Sequence, residues 1–356
     1  MRILAAMVVV VLVGCGGSDD PGPDGGNDGA PEDGYLIETL VDGLQGPTQM
    51  AWHPDGRRLV AVLGEGGEGA ETGQVLAVDV ARTAASDGGP AAGPEVLVGG
   101  LDTPTGLAVV DETIWIMERT RLVTAPVAGG ATTVVRDDLP NNGRSNGSLT
   151  VTSDRRLLYD TSGRQEGTRA ADGTGVLWSL DPLDPEAEDQ PVMTGMKHAY
   201  ATAEDGRGGL LVTEIGDGTY DGERPPDEVV VIPQQREREV PDGGWPRCIG
   251  DREPVAENDG SAAWCERAMP SLALFDPGAT PTGIAMAPWD GASAVVALWQ
   301  SGDLVELPIE RPAGGAPVAS TPIATGLDGP QDVLADGARL LLTVHGRGAV
   351  LVVTSG

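Results

Sequence analysis

The sequence has few basic residues for its length. It carries 23 Lys and Arg against 54 Asp and Glu among 356 residues, which gives a formal net charge of -31 at pH 7. A surface of this sign repels phosphate groups, so nucleic acid is excluded as a partner. The same charge keeps a protein soluble and attracts cations.

Long apolar runs and helical periodicity are also missing. The apolar run at residues 3–13 is too short to span a membrane, and no amphipathic pattern extends beyond about three helical turns. Outside the first part of the chain, the 53 Gly and 28 Pro lie at turns between short apolar runs. This distribution predicts a turn-rich, all-β protein.

Only three cysteines are present, and the first lies in a distinctive N-terminal stretch. A short basic start, the apolar run and residues 12–15 (Leu-Val-Gly-Cys) together resemble the signal peptide and lipobox of bacterial lipoproteins. The resemblance implies that residues 1–14 are removed and that Cys15 is lipidated; a buried N-terminal helix is the alternative. Gly16 rather than Asp follows the cysteine, which resembles sorting to the outer membrane.

Residues 16–34 contain no apolar side chain larger than Ala or Pro, so they cannot offset the entropy cost of ordering. We therefore expect residues 15–34 to be the lipidated cysteine and a disordered acidic tether, and residues 35–356 to form one domain. The expected product is a monomeric, extracytoplasmic lipoprotein. Its lipid would hold it at the outer membrane, on the periplasmic side or the cell surface.

The other two cysteines are Cys248 and Cys265. Because an exported chain meets an oxidising compartment, we expect them to pair, and closing this loop would stabilise the fold by about 3 kcal/mol. A metal site made of two thiolates is the alternative, although no His lies near them in the sequence.

A phrase of strand, turn and strand recurs along the chain. In residues 100–118 a Pro-led turn precedes an alternating apolar strand, an acidic turn and a second strand. Variants of the phrase begin at Gly43, Leu139, Gly195, Ala279 and Gly326. Six recurrences at irregular spacings predict an all-β fold, a six-bladed β-propeller.

Two segments lie outside the repeated phrase. The alternating segment at residues 35–41 is expected to complete the sixth blade beside strands at residues 339–344 and 349–354, closing the ring by pairing N- and C-terminal strands. The longest irregular region, residues 233–278, carries Trp245. Long insertions in a repeat array tend to lie on one face, so this region is expected to build the site.

Motifs in the fourth repeat carry a family resemblance. LVTEIGD at residues 211–217, the pair Asp227-Glu228, and GGWPRC at residues 243–248 resemble the Glu-x-Gly, Asp-Glu and Tyr-Gly-Trp-Pro motifs of the soluble glucose/sorbosone dehydrogenase family. The last two repeats also resemble the family, with Trp289 at the position of a family tryptophan. The resemblance implies a six-bladed propeller that binds pyrroloquinoline quinone and calcium over its axis and oxidises an aldose at C1 by hydride transfer.

The chain departs from the family at positions that carry this chemistry. The stretch matching the family's His-Asn-Gly-Gly-x-Leu motif begins with Arg144, which stays charged and cannot accept a proton. Arg164 stands where the family has an acidic residue, and Lys197-His198 replaces an Arg-Asn pair. The family's other cations, which suit the quinone's three carboxylates, match Gln300, Gly329 and Gln331.

Two sets of candidate residues follow from these matches. If a quinone is bound, Lys197, Gly216 and Trp289 would contact it. His198 would then replace the lost base, since imidazole suits proton transfer near neutral pH; a structural, hydrogen-bonded His198 is the alternative. If the chemistry has been lost, an anionic ligand such as an acidic sugar would be held by Arg144, Asn146 and Arg164.

Residues 217–228 have the spacing of a calcium loop. Oxygen-bearing side chains fall at loop positions 1, 3, 5 and 12, namely Asp217, Thr219, Asp221 and Glu228, with a Gly at position 6. Oxygens at this spacing can wrap a hard cation. An acidic surface turn is the alternative, because two prolines stiffen the loop.

Two functions remain open from the sequence. The first is a lipid-anchored, extracytoplasmic propeller that binds a ligand or a partner and has lost the family's catalytic base. The alternative is an active quinone-dependent aldose dehydrogenase with a rearranged site.

Overall fold

A computed structural model of the chain describes residues 29–79, 93–234 and 239–356. The fold is a six-bladed β-propeller, and each blade is an antiparallel sheet of four main strands. The predicted signal peptide, the lipidated Cys15 and most of the tether lie outside the described residues. No helix in the described part is long and apolar enough to cross a membrane.

The first three blades follow the chain in order. Blade 1 contains β3 (Pro47–Trp52), β4 (Arg58–Val62), β5 (Gly73–Val78) and β6 (Glu95–Leu101). Blade 2 contains β7 (Gly106–Val110), β8 (Thr113–Met117), β9 (Leu122–Pro126) and β10 (Thr133–Arg136). Blade 3 contains β11 (Thr150–Val151), β12 (Leu157–Thr161), β15 (Val176–Leu180) and β16 (Gln190–Thr194), and a two-stranded excursion, β13 (Gln165–Glu166) and β14 (Arg169–Ala170), leaves it.

The remaining blades use both ends of the described chain. Blade 4 contains β17 (Ala199–Glu204), β18 (Leu210–Glu214), β19 (Asp227–Ile232) and β22 (Ser271–Phe275). Blade 5 contains β23 (Pro281–Met286), β24 (Ser293–Leu298), β25 (Asp303–Pro308) and β26 (Thr321–Thr325), with the short β1 (Ala30–Pro31) at its edge. Blade 6 contains β27 (Pro330–Asp336), β28 (Arg339–Val344), β29 (Ala349–Ser355) and β2 (Tyr35–Val41).

Alternating side chains bury both faces of each blade. In β8, Ile114 and Ile116 pack into a cluster shared with blade 1, while Trp115 and Met117 pack into one shared with blade 3. Successive strand residues point to opposite faces, so a blade between two neighbours needs apolar residues at nearly every position. Asp111 has a φ of 52° at the acidic turn that the repeat predicts.

The N-terminal strand closes the ring, as the sequence predicts. β2 pairs with β29 in antiparallel register, from Tyr35 opposite Ser355 to Val41 opposite Val350. The hydroxyl of Tyr35 also donates a 2.6 Å hydrogen bond to Glu306 in blade 5. Pairing of the two chain ends removes the free edge that β29 would otherwise present.

The long insertion lies between β19 and β22. It contains β20 (Cys248–Ile249), β21 (Glu253–Pro254), a 3-10 turn (Ala256–Asn258) and one helical turn, α1 (Ala262–Cys265). The Cys248–Cys265 disulfide is formed, which confirms the predicted pairing. Trp245 is buried against Tyr220 and Val255. Of the described residues in the region 233–278, Gly278 alone lines the central cavity, so the insertion contributes only its last residue to that site and does not build it.

Candidate functional site

The innermost strands, β3, β7, β11, β17, β23 and β27, pack against one another around the axis. Near the mouth at their N-terminal ends, side chains from all six blades enclose a cavity of about 440 Å³. Small-molecule sites in proteins commonly have volumes of about 300–1,000 Å³. The axial cavity is therefore large enough for a small ligand.

Position in the repeat decides which side chains reach the axial cavity. The residue after the Pro that opens a blade lines it at Thr48, Thr105, Thr282 and Gln331. The residue that follows the second strand lines it at Leu63, Ile215, Trp299 and His345. Sequence reasoning singled out Gln331 but missed the others, although superposing the repeats would have identified both rings.

Neutral hydrogen-bonding groups dominate the wall. Besides the threonines, it includes Asn142, Ser145, Tyr200, Gln300 and Gln331. The amide of Gln331 donates a 2.7 Å hydrogen bond to the hydroxyl of Tyr200 across the axis, which fixes both groups. Trp299 adds one large aromatic surface. Such a wall can pair with many hydroxyl groups and stack on one ring.

Charges of both signs line the axial cavity. Arg144 and Arg224 face Glu68, Asp217 and Asp227. The guanidinium of Arg144 lies 3.9 Å from the carboxylate of Asp217 and is largely exposed. Two cations therefore meet three acidic side chains, and the wall has no excess of positive charge.

Asp227 has a structural role at this wall. Its carboxylate accepts 2.7 Å hydrogen bonds from the backbone N–H groups of Gly216 and Thr280, and so ties the loop after β18 to the start of blade 5. A Cβ at Gly216 would lie 2.5 Å from the carbonyl oxygen of Pro226. The Asp-Glu and Glu-x-Gly motifs thus meet because glycine permits close backbone approach.

His198 lines the axial cavity, and a buried carboxyl group lies behind its imidazole. Its Nε2 lies 3.5 Å from Oδ2 of Asp160, and both side chains are almost fully buried. Burial raises the pKa of Asp160 to about 8. Burial, followed by the nearby Lys197 and Arg144, lowers the pKa of His198 to about 3. Desolvation thus favours neutral forms of both partners.

Asn146 lies behind the wall rather than on it. It is fully buried, and its side-chain oxygen accepts a 3.1 Å hydrogen bond from the N–H of Ser162. Its Nδ2, Asp160 Oδ2 and His198 Nε2 have no hydrogen-bond partner within the part of the chain that the structure describes. Buried polar atoms without a hydrogen-bond partner are rare in native folds. The region below the axial cavity is therefore unusual, because it is polar and several of its hydrogen-bonding atoms have no partner among the described residues.

Lys197 turns away from the axial cavity. Its Nζ donates a 2.8 Å hydrogen bond to the carbonyl of Gly163 and lies 5.4 Å from the ring centroid of Trp245. Burial lowers the pKa of this amine. Its backbone N–H donates to buried Glu214, the cross-strand neighbour of Glu228. Of the predicted cofactor residues, Gly216 alone lines the axial cavity.

Two other predicted residues lie elsewhere. The indole N–H of Trp289 donates to Glu306 at 2.9 Å, and its ring packs edge-on against Tyr35, so it braces blades 5 and 6. Arg164 is exposed and lies 3.5 Å from Glu166. Neither side chain lines the axial cavity. Of the predicted anion-binding set, only Arg144 does so, because the chain after β12 carries Arg164 outward into an excursion.

The residues of the predicted calcium loop do not converge. Asp217 lines the axial cavity, whereas Asp221 accepts hydrogen bonds from the backbone of Ala256 and Glu257. Glu228 is buried in β19 and accepts from the hydroxyl of Ser271. No group of three or more His, Cys, Asp or Glu in residues 29–79, 93–234 and 239–356 is arranged to hold a metal ion. The sequence spacing was misleading because the last ligand lies within a strand, with Thr219 in the turn before it.

Solved structures with the same fold have low sequence identity to this chain. A Trichoderma reesei protein of carbohydrate-active enzyme family AA12 is 16% identical, with a TM-score of 0.75 over 93% of this chain and 98% of that one. The pyranose dehydrogenase PQQ domain from Coprinopsis cinerea is 15% identical, with a TM-score of 0.72 over 91% and 96%. The PQQ-bound aldose sugar dehydrogenase from Streptomyces coelicolor is 18% identical, with a TM-score of 0.67 over 92% and 100%.

The same architecture also serves a different reaction class. A gluconolactonase from Xanthomonas campestris is 14% identical, with a TM-score of 0.56 over 92% of each chain. No protein-family model matches the sequence, and no curated protein matches it. At these identities the likeness establishes the propeller fold, and the function has to be argued from the site.

Proposed function

We propose that this chain is a carbohydrate-binding β-propeller whose axial cavity holds a sugar. The observation that carries the proposal is the wall itself, in which fixed neutral donors and acceptors from several blades surround a cavity of about 440 Å³ beside the indole of Trp299. Sugars offer many hydroxyl groups and an apolar ring face, which this combination matches. Their formal neutrality also suits a wall of mixed charge.

The names of the structural neighbours support a carbohydrate ligand. They include a carbohydrate-active enzyme, a pyranose dehydrogenase and an aldose sugar dehydrogenase. A shared fold does not transfer a reaction. A carbohydrate ligand is what we carry to this chain from these names, and the lining of the axial cavity is our reason for placing it there.

The residues present do not fit pyrroloquinoline quinone. Its three carboxylates would enter a cavity where Arg144 and Arg224 are outnumbered by Glu68, Asp217 and Asp227. Lys197, the cation expected to anchor it, is bonded to the carbonyl of Gly163 instead. Acidic side chains that outnumber the cations in a cavity disfavour an anionic ligand. We therefore derive no redox step, and the family's base is proposed to be lost together with its quinone site.

A quinone-dependent aldose dehydrogenase remains the second candidate. The observation that favours it is the pairing of His198 with Asp160 at the axial cavity, since a carboxyl group commonly orients an imidazole that handles protons. Calcium belongs to this candidate too, because calcium and quinone occur together in the resembled family.

One titration separates the two candidates. Purified protein is titrated by calorimetry with glucose, galactose, xylose and mannose, and separately with pyrroloquinoline quinone, in calcium and in chelator. We expect a sugar to bind in the micromolar to millimolar range, no quinone binding, and at least about tenfold weaker sugar binding in Gln331→Ala, since the cavity wall loses a hydrogen-bonding amide. Gln190→Ala, on an outer strand, is the matched control.

Each outcome of this titration decides something. Tight quinone binding with dye reduction by an aldose would establish the second candidate in place of the first. Failure of every sugar to bind would overturn the carbohydrate proposal. Sugar acids test the anionic-ligand expectation: Arg144→Ala should weaken their binding and Arg164→Ala should not, because only the first guanidinium lines the axial cavity.

We also propose that the protein is exported and anchored by a lipid on Cys15, facing the periplasm or the cell surface. The support is the sequence alone, through the basic start, the apolar run and the lipobox. Metabolic labelling with a fatty-acid analogue should mark the wild-type protein and not Cys15→Ser. Equal labelling of both would contradict the anchor.

A further inference from the structure

A side groove between blades 5 and 6 adjoins the axial cavity. The groove has a volume of about 230 Å³ and shares Trp299, Gln300 and His345 with the axial cavity. The turn after β24, the link to blade 6 and the turn after β28 form its walls. The two spaces therefore meet along the three shared side chains, and a ligand that extends past Trp299 would contact both.

Glycine at position 329 makes room for the indole of Trp299, which lines both the groove and the axial cavity. Its φ is +69°, and a Cβ there would lie 2.6 Å from Nε1 of Trp299. The indole packs edge-on to His345, with ring centroids 6.4 Å apart and an interplanar angle of 88°. The indole of Trp299 therefore packs against the backbone of residue 329, and only glycine allows this close approach. The contact lies at the junction between the groove and the axial cavity.

The chemistry of the groove favours a neutral, hydroxylated ligand. Ser301, Gln300 and Asp328 supply polar groups, and the rest of its wall is mainly glycine backbone, Leu327 and the two aromatic rings. Lys and Arg are absent from the described residues that line it, so a negatively charged group would meet Asp328 unopposed. A second sugar ring meets these requirements, with Asp328 accepting from its hydroxyl groups.

We infer that the groove is a second sugar subsite and that the ligand is a disaccharide, an oligosaccharide or a glycoside rather than a free monosaccharide. The inference rests on the carbohydrate function proposed for the axial cavity. One ring occupies the axial cavity, and the next passes Trp299 into the groove. Trp299 thereby contacts both rings.

The test compares monosaccharides with disaccharides that contain the same rings. Calorimetry is run with glucose, galactose, xylose and mannose, then with cellobiose, maltose, lactose, xylobiose and mannobiose. Wild-type protein should bind one disaccharide at least tenfold more tightly than either of its component monosaccharides. Ser301→Trp, which fills the groove from an exposed turn, should abolish this advantage and change monosaccharide affinity less than twofold. Asp328→Ala should reduce the advantage at least threefold, and exposed Asp172→Ala should leave it unchanged.

The outcomes separate the two proposals. Monosaccharide binding with no disaccharide advantage overturns the subsite and leaves the carbohydrate function standing. An advantage that persists in both groove variants also overturns the subsite. Binding of no sugar overturns both. If Ser301→Trp still binds monosaccharides, the variant is folded. In that case a loss of its higher affinity for the disaccharide supports the inference.

Discussion

His198 and Asp160 meet across two blades, with Nε2 of the imidazole 3.5 Å from Oδ2 of the carboxyl group. One residue precedes β17 of blade 4 and the other lies in β12 of blade 3. The other oxygen of Asp160 accepts a 2.5 Å hydrogen bond from the N–H of Gly147. This pair links the axial cavity to the buried polar groups behind it.

Removing the carboxyl group of Asp160 should destabilise the propeller. Asp160→Ala leaves the buried N–H of Gly147 without its acceptor, which costs about 1–3 kcal/mol, and removes the carboxyl group beside the imidazole of His198. Asp160→Asn keeps an acceptor and should cost less. Urea unfolding measures both, with exposed Asp172→Ala as the control. Equal stability of Asp160→Ala and wild type would show that the pair contributes nothing.

Stability should rise as the pH falls from 8 to 5. Burial raises the pKa of Asp160 to about 8 and the pKa values of Asp332 and Glu214 to about 7, and it raises the pKa of Glu228 well above its usual range. These carboxyl groups bind protons more tightly in the folded protein than in the unfolded chain. Their contribution to the free energy of unfolding is therefore complete near pH 4 and is lost as the pH rises through 7 to 8. Burial of neutral His198 opposes this below pH 6.5, since its contribution is lost as pH falls.

Thermal unfolding between pH 4 and 9 checks this dependence. We expect Tm at pH 5 to exceed Tm at pH 8 by roughly 5 °C or more. The double variant Glu214→Gln with Glu228→Gln should show a smaller difference, because the amides cannot ionise. A Tm that increases toward pH 8 in wild-type protein would contradict the prediction.

The disulfide should stabilise the fold without affecting the site. Replacing Cys248 and Cys265 by Ser opens a loop with a sequence separation of 17 residues, and chain entropy predicts a loss of about 3 kcal/mol. Sugar affinity should not change, since Gly278, at the far end from the disulfide, is the only described residue of the insertion that lines the axial cavity. Denaturant unfolding and calorimetry measure the two effects. A loss of affinity at a temperature where the variant is fully folded would show that the insertion reaches the ligand.

Calcium should have little effect on the melting curve. Asp221 is occupied with the backbone of Ala256 and Glu257, and Glu228 is buried against Ser271, so binding would require the loop to rearrange. We expect millimolar calcium to shift Tm by no more than magnesium does at equal ionic strength. A larger, calcium-specific rise that Asp221→Ala abolishes would restore residues 217–228 as a calcium loop.

Local sequence patterns are sufficient to predict the scaffold. Alternation in β8, the turn at Asp111 and the recurrence of the same phrase specify blades, because strand period and turn chemistry are local properties. The same pattern predicts that Tyr35–Val41 closes the ring of blades. This strand has no partner in the first blade, and the last blade has an edge strand that needs one. The pairing of Cys248 with Cys265 was predicted because they are the two cysteines that remain after Cys15 in a chain expected to be exported.

The composition of the site depends on how the six blades close into a ring. Each blade contributes only a few side chains to the axial cavity, so residues far apart in the chain, such as Tyr200 and Gln331, become partners only when the ring closes. Asp160 lay unnoticed in an ordinary strand, and Trp289 matched a family position yet braces Glu306. Local patterns specify strands and turns, whereas twist, register and closure determine which side chains point toward the axis.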